Sequence, residues 1–296
     1  MKTLSVKILY LSLHPLKDSR LMPSFAPSLP LWATALLLLS VLSVSACQPI
    51  SNNDSASDPQ NWSCQSEDAP FAYNTCSVKA EALTRDRYAL QLFWQQPDST
   101  QPLLTFDTLL TTLPANQALK FAMNAGMYND TYAPIGYTVI EGEEKRALNL
   151  KEGGGNFHLL PNGVFWWDKS GNVQITESRA LGDRLKSDDA KPWYATQSGP
   201  MLVINDEIHP QFNPDSTSLK IRNAVGVCHD GRIKFANSEV PVTFYQFATL
   251  FKNELDCPNA LFLDGGIASA LYAPSIDKHD KKEMGVMIGL VEKKAK

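Results

Sequence analysis

The chain reads as an α+β protein, rich in β-structure and with few helices. Three observations predict this. Short apolar or alternating runs recur between strong turn signals. The clearest helical period lies in one capped stretch after Pro241. The run Ala260-Leu261-Phe262-Leu263 has the length and uninterrupted apolar character of a buried strand. Glycine-containing polar motifs follow the apolar runs, where a sheet holds loops rigidly and glycine lets backbone and ligand approach closely.

The elements follow in chain order. Phe157 to Trp167 contains Pro161-Asn162-Gly163, and Trp166 to Ile175 contains Ser170-Gly171-Asn172, so two consecutive hairpins are expected. Because side chains alternate along a strand, Trp166 and Trp167 should take opposite faces, one in the core and the other open to exposure and sugar stacking. Further hairpins are expected at Asn205-Asp206, within Met201 to His209, and at Asp230-Gly231, within Val225 to Asn237. Thr243 and Gln246 have the spacing of a capping box, and Phe244, Phe247, Ala248, Phe251 and Leu255 then share one helical face. The next strand delivers Asp264 to its end.

The first residues call for a different reading. Lys2, Lys7, Lys17 and Arg20 precede an apolar run from Leu31 to Val44 that is too short and interrupted for a membrane span. It ends in Val44-Ser45-Ala46-Cys47, which resembles a bacterial lipoprotein cleavage box. Residues 1–46 are therefore expected to be a signal peptide, with Cys47 the lipidated first residue of the mature chain, over the alternatives of an uncleaved anchor or a soluble export signal. A start at Met22 would leave Cys47 in the same role. Gln48 after the cysteine, by resemblance to enterobacterial lipoproteins, implies the periplasmic side of the outer membrane. Residues 47–61, mostly Ser, Asn, Asp and Pro, form a flexible tether, and 62–296 form the folded domain.

Cys64, Cys76, Cys228 and Cys257 remain, an even number in an exported chain, which favours disulfides over metal ligation. Of the three possible connectivities, sequential pairing is expected: Cys64 with Cys76, and Cys228 with Cys257. A net charge of −4 without a dense basic patch argues against a nucleic-acid partner.

Four motifs carry the chemistry: Asn124-Ala125-Gly126-Met127-Tyr128, Gln197-Ser198-Gly199-Pro200, Arg222-Asn223-Ala224-Val225-Gly226 and Asp264-Gly265-Gly266. Asp264 is their one acidic residue, so an acid, base or nucleophile role falls to it first, against the ordinary reading of Asp-Gly as a turn. Gly265 and Gly266 leave free N–H groups beside it, a nest suited to an anion. Arg222 offers a planar fork for phosphate or carboxylate, or a surface ion pair. Ser198 lies outside any nucleophile-elbow pattern, and reads as a ligand hydrogen-bonder or turn former, with Gln197. Asn124 and Tyr128 suit sugar hydroxyls; equally, Asn124 could cap a turn and Tyr128 be buried. The run Gly153-Gly154-Gly155 lacks a phosphate-loop lysine.

In this order and spacing, Asn-x-Gly-x-Tyr, Gly-Asn-Phe, Ser-Gly-Pro-Met-Leu, Arg-x-Ala-Val-Gly and Leu-Asp-Gly-Gly resemble the phosphodiester glycosidase family, from about Phe121 to Tyr272. Pro161-Asn162-Gly163-Val164-Phe165 and Thr196-Gln197-Ser198-Gly199-Pro200-Met201 resemble its bacterial exported branch. The resemblance implies a mixed α/β domain with a central β-structure. Its site would include Asn124, Gly126, Ser198, Gly199, Arg222, Asp264, Gly265 and Gly266. Two departures stand out. Ile267-Ala268-Ser269 follows Asp264-Gly265-Gly266 where the family often has Gly-Ser, and Asn223 replaces a common Thr or Ser.

The implied activity is hydrolysis of a sugar 1-phosphodiester, such as an N-acetylglucosamine 1-phosphodiester, in envelope glycans. Asp264 and Arg222 would be catalytic, while Asn124, Gly126, Tyr128, Ser198, Gly199, Gly265 and Gly266 bind substrate. No cofactor is required by the sequence, with a divalent cation at Asp264 as an option. The alternatives are a non-catalytic glycan-binding lipoprotein and a metal-dependent phosphodiesterase, the last without the expected His/Asp cluster.

Overall fold

The alternating runs become three antiparallel sheets in the computed structural model, which describes residues 58–83 and 87–294. The signal peptide, Cys47 and the tether up to residue 57 lie outside the described residues.

The largest sheet has seven strands, in the spatial order Trp62–Glu67, Tyr73–Lys79, Arg232–Ser238, Asn223–Val227, Asn259–Phe262, Met201–Ile204 and Glu207–Ile208. A second sheet orders Lys278–His279, Leu271–Ala273, Gln117–Asn124, Met287–Lys293 and Tyr88–Phe93. The third orders Glu143–Arg146, Thr138–Ile140, Tyr194–Ser198, Gly163–Trp167 and Val173–Glu177. Helices are few and short, as a β-rich α+β chain requires.

Each sheet contributes one phenylalanine to a shared core. Phe235 of the large sheet meets Phe121 of the second at 5.5 Å and Phe165 of the third edge-on at 6.0 Å. All three are buried, each stabilising the fold by about 2–3 kcal/mol. The large sheet's opposite face is covered by the helix Phe244–Thr249, whose Phe247 and Ala248 pack with Leu202, Ala224, Ala260 and Phe262. Burial on both faces explains why Ala260 to Leu263 shows no polar alternation.

The capping box forms as read, with Thr243 and Gln246 exchanging side-chain-to-backbone bonds. The helix then widens into a π-helical turn, Leu250–Glu254, which carries Phe251 into the same apolar layer. The hairpins at Asn205-Asp206 and Asp230-Gly231 are present, as is the one spanning Trp166 to Ile175.

Two local expectations change. Pro161-Asn162-Gly163 closes no hairpin: Phe157 lies in a single 3-10 turn, Asn156–His158, rather than a strand. Asn162 explains this, because its side-chain amide donates to the Phe157 carbonyl at 2.8 Å while its own carbonyl accepts from Ser178. Trp166 and Trp167 do take opposite faces, but both are buried and neither is free for a sugar. Trp166 packs beneath the helix Ser178–Lys186 and donates to Thr176 Oγ1, while Trp167 stacks on Tyr194 at 5.0 Å.

The disulfides pair sequentially. Cys64 and Cys76 face each other across adjacent strands, and Cys228–Cys257 ties the turn after Asn223–Val227 to the end of the π-helical turn. With sequence separations of 12 and 29, chain-entropy loss in the unfolded state gives stabilisations of about 2.8 and 3.6 kcal/mol. Replacing Cys228 and Cys257 together by Ser is therefore expected to cost more stability than the Cys64/Cys76 double replacement, measured by urea unfolding.

Candidate functional site

The site forms where one end of each sheet converges. Asn124 ends a strand of the second sheet, Ser198 ends one of the third, and Asn223 opens one of the large sheet. Asp264 lies two residues past Phe262, on the strand paired with Asn223–Val227.

Side chains lock this convergence. Asn124 Nδ2 donates to the Asp264 carbonyl at 2.9 Å, and the Asp264 N–H donates to Asn223 Oδ1 at 3.1 Å. Asn223 Nδ2 in turn donates to Asn124 Oδ1 at 2.5 Å, an oxygen that also accepts from Ala270 N–H at 3.0 Å. Two buried carboxamides thus grip both backbone groups of Asp264 and span the loop to Ala270. The Ser198 hydroxyl donates to the Leu263 carbonyl, and the Gly266 N–H donates to the Ile221 carbonyl at 2.8 Å, while the Gly265 N–H serves the Asp264 carboxylate, so the expected nest of free N–H groups does not form.

The four motifs therefore come together, with their side chains put to different uses. Asn124 and Ser198 spend their polar groups on the Asp264 loop. Gln197 is spent on Tyr137, Asn149 and Ser178. Gly126 and Gly265 permit close approach, since a Cβ at either would stand 2.6 Å from a backbone carbonyl oxygen, of Gln197 and Ile221 respectively. Gly199 is similarly tight against Asn162. Gly266 differs: it has open space around it and φ of 66°, which a side chain would strain. Replacing Asn223 by Ala leaves the Asp264 N–H and Asn124 Oδ1 without this partner. The expected cost is about 2–3 kcal/mol, checked by chemical denaturation.

Asp264 itself is largely withdrawn from water. Burial pushes its carboxyl up to about 6, partly opposed by the Gly265 N–H, which favours the anion. Burial raises the Tyr128 hydroxyl too, helped by the negative charge of Asp264, which puts this phenol near the carboxylate. Tyr128 is half-buried and its hydroxyl reaches the Glu283 carbonyl at 3.4 Å.

Arg222 and Asn223 are neighbours whose side chains part. The Arg222 guanidinium lies 3.5 Å over the Phe244 ring, on the helix side, and donates from Nε to Val242 and from Nη2 to Ser218 carbonyls. It is buried with no carboxylate partner among the described residues, and burial lowers its pKa to about 10. It forms no ion pair with Asp264; the Ile221–Gly266 backbone bond links the two segments instead.

Sequence reasoning missed Lys282, Glu283 and Tyr132. Lys282 Nζ donates to the Ser269 carbonyl at 2.6 Å, closing the far end of the Asp264 loop. Ser269 Oγ is buried there without a hydrogen-bond partner. Lys282 and Glu283 belong to Lys278-His279-Asp280-Lys281-Lys282-Glu283, which reads in sequence as a solvated charge run. Among the described residues no group of three or more His, Cys, Asp or Glu side chains is arranged to hold a metal.

A β-rich α+β fold that gathers glycine loops from three sheets around one partly buried carboxylate defines the class. The family model for phosphodiester glycosidases matches residues 117–291, and the chain belongs to that family. It is 34% identical over 204 residues to the uncharacterized protein YigE of Escherichia coli K12, covering 68% of this chain and 77% of that one. The fold also resembles two solved structures. One is a hypothetical protein from Synechocystis, with TM-score 0.57 and 13% identity over 78% of this chain; the match spans 62% of the Synechocystis chain. The other is the catalytic domain of zebrafish N-acetylglucosamine-1-phosphodiester alpha-N-acetylglucosaminidase, auto-inhibited by its pro-peptide. Its TM-score is 0.52 and its identity 14%, over 77% of this chain and 81% of that one.

Proposed function

We propose that this chain hydrolyses a sugar 1-phosphodiester in envelope glycans, with Asp264 as general base. The observation that carries the reading is one carboxyl, lifted to about 6 by burial and held by both its backbone groups, in a member of the phosphodiester glycosidase family. A base whose pKa lies near the working pH is matched to proton transfer.

In the proposed step, Asp264 takes a proton from water while the water oxygen bonds to the anomeric carbon. The C1–O bond breaks, its electron pair leaves on the phosphate oxygen, and the products are a reducing sugar and a phosphate monoester. A phosphate needs little acid assistance to leave, so the second carboxylic acid usual in glycosidases is dispensable. Lys282 and the remaining Arg222 donors are assigned to the developing charge. Asn124, Asn223 and Ser198 act as positioning residues, Gly126 lets the Asn124 loop pack against Gln197, and Tyr128 lines the sugar side.

Incubating the full-length chain, purified in detergent, with methyl-phospho-α-N-acetylglucosamine tests this. Release of reducing N-acetylglucosamine is the expected result. Binding without release, across a panel of sugar phosphodiesters, would favour a non-catalytic glycan-binding lipoprotein.

We also propose lipid anchoring through Cys47 on the periplasmic side of the outer membrane, on the strength of Val44-Ser45-Ala46-Cys47. Cys47→Ala is expected to abolish metabolic labelling by palmitate; labelling that persists would contradict the anchor.

A further inference from the structure

Tyr132 has φ of 60°, in the left-handed region, which costs a non-glycine residue about 1 kcal/mol or more and persists only when its surroundings impose it. They do so on three sides. Trp94 Nε1 donates to the Tyr132 carbonyl at 3.0 Å. Asn129 Oδ1 accepts from the N–H groups of Thr131 and Ala133, both at 3.0 Å, which folds the tip of the loop. The Tyr132 hydroxyl donates to Glu283 Oε2 at 2.5 Å.

This conformation lays the Tyr132 ring on that of Tyr128, with centroids 5.5 Å apart and planes 22° apart. Tyr128 is itself fixed from below by Gly285, where a Cβ would come within 2.9 Å of three Tyr128 atoms. No other ring stacks on Tyr132 among the described residues. Glu283 is exposed and has no ion-pair partner among the described residues, so Oε1 remains open to a ligand. The ledge adjoins the Asp264 loop directly. Lys282, next to Glu283, grips the Ser269 carbonyl, and Tyr128 closes the loop that begins at Asn124.

A pyranose presents an apolar C–H face and pairs of adjacent hydroxyls, so an aromatic ring beside an open carboxylate is matched to it. A surface tyrosine–carboxylate bond alone would be worth too little to justify the strained backbone. We propose that Tyr132 and Glu283 form a second sugar subsite, one ring beyond the sugar that meets Asp264, with hydroxyls of that second ring donating to Glu283. This rests on the reading of the Asp264 centre as a glycan phosphodiester site, and it makes the substrate an oligosaccharide rather than a single sugar.

The test is binding, read apart from turnover. The full-length chain in detergent is titrated by calorimetry with N,N′-diacetylchitobiose and with N-acetylglucosamine, neither of which contains a phosphodiester. The disaccharide is expected to bind the native chain at least tenfold more tightly, an advantage that falls below threefold in both Tyr132→Ala and Glu283→Gln. Glu283→Gln is isosteric at an exposed position, and melting curves confirm that it is folded. An advantage that survives in folded Glu283→Gln and Tyr132→Ala, or that is missing from the native chain, overturns the subsite. Failure of phosphodiester hydrolysis would leave this titration readable, so the two readings fail separately.

Discussion

Asp264→Asn is expected to lower kcat on a sugar 1-phosphodiester by about 10³-fold or more, the range for losing a positioned general base. The same substitution should stabilise the fold above pH 6. The sign follows from the raised carboxyl: with a folded pKa of about 6 against an ordinary 3.8, the native state holds the proton more tightly than the unfolded chain. Stability attached to Asp264 is therefore fully present below about pH 4 and is lost as pH rises through 6. Asn carries no charge to desolvate, so at pH 7.5 it removes a penalty on the order of 1–3 kcal/mol. Activity should run the other way, rising as pH passes 6 because the base must be ionised. Melting curves at pH 4 and 7.5 check the first point. A pH profile of kcat/KM checks the second.

Arg222→Met should separate charge from packing. The guanidinium is buried, lacks a carboxylate partner among the described residues, and rests on Phe244. A buried cation without a counter-ion is a standing cost, and it is retained where an anion is to be met. Met keeps most of the volume against Phe244. It leaves the Ser218 carbonyl without its donor and the Val242 carbonyl with the Lys220 N–H alone, so stability is expected to change by less than ~2 kcal/mol as the two effects offset. Turnover should fall by about 10²–10³-fold if the charge serves the leaving phosphate. Arg222→Lys should recover little, because an ammonium cannot reproduce the planar fork. Stopped assays together with urea unfolding of both variants distinguish these effects.

Much of the fold could be read from the chain because the relevant forces are local. The capping box of Thr243 and Gln246, the turns at Asn205-Asp206 and Asp230-Gly231, and the buried strand ahead of Asp264 each depend on residues within a few positions. Where the reading failed, a side-chain brace or a later element decided. Asn162 braces Phe157 and Ser178 instead of turning a hairpin, and the face of Trp166 opposite the core is covered by a helix that its own strand does not announce. The site divides in the same way. The motifs were legible as a set, but not that Asn124, Asn223 and Ser198 point at the backbone of the Asp264 loop, since those contacts join residues 41 to 140 positions apart or, for Ser198, 65. Tyr132 and Glu283 left no signal: a tyrosine in a polar loop and a glutamate in a charge run look like surface until 151 positions of chain bring them together.

The most direct test of the account is hydrolysis of an N-acetylglucosamine 1-phosphodiester by the full-length chain in oxygen-18 water, with both products analysed by mass spectrometry. Attack on the anomeric carbon puts the label in the released sugar and leaves the phosphate unlabelled, which is the predicted result. Label in the phosphate with none in the sugar would mean P–O cleavage, and would contradict a glycosidase with Asp264 as its base.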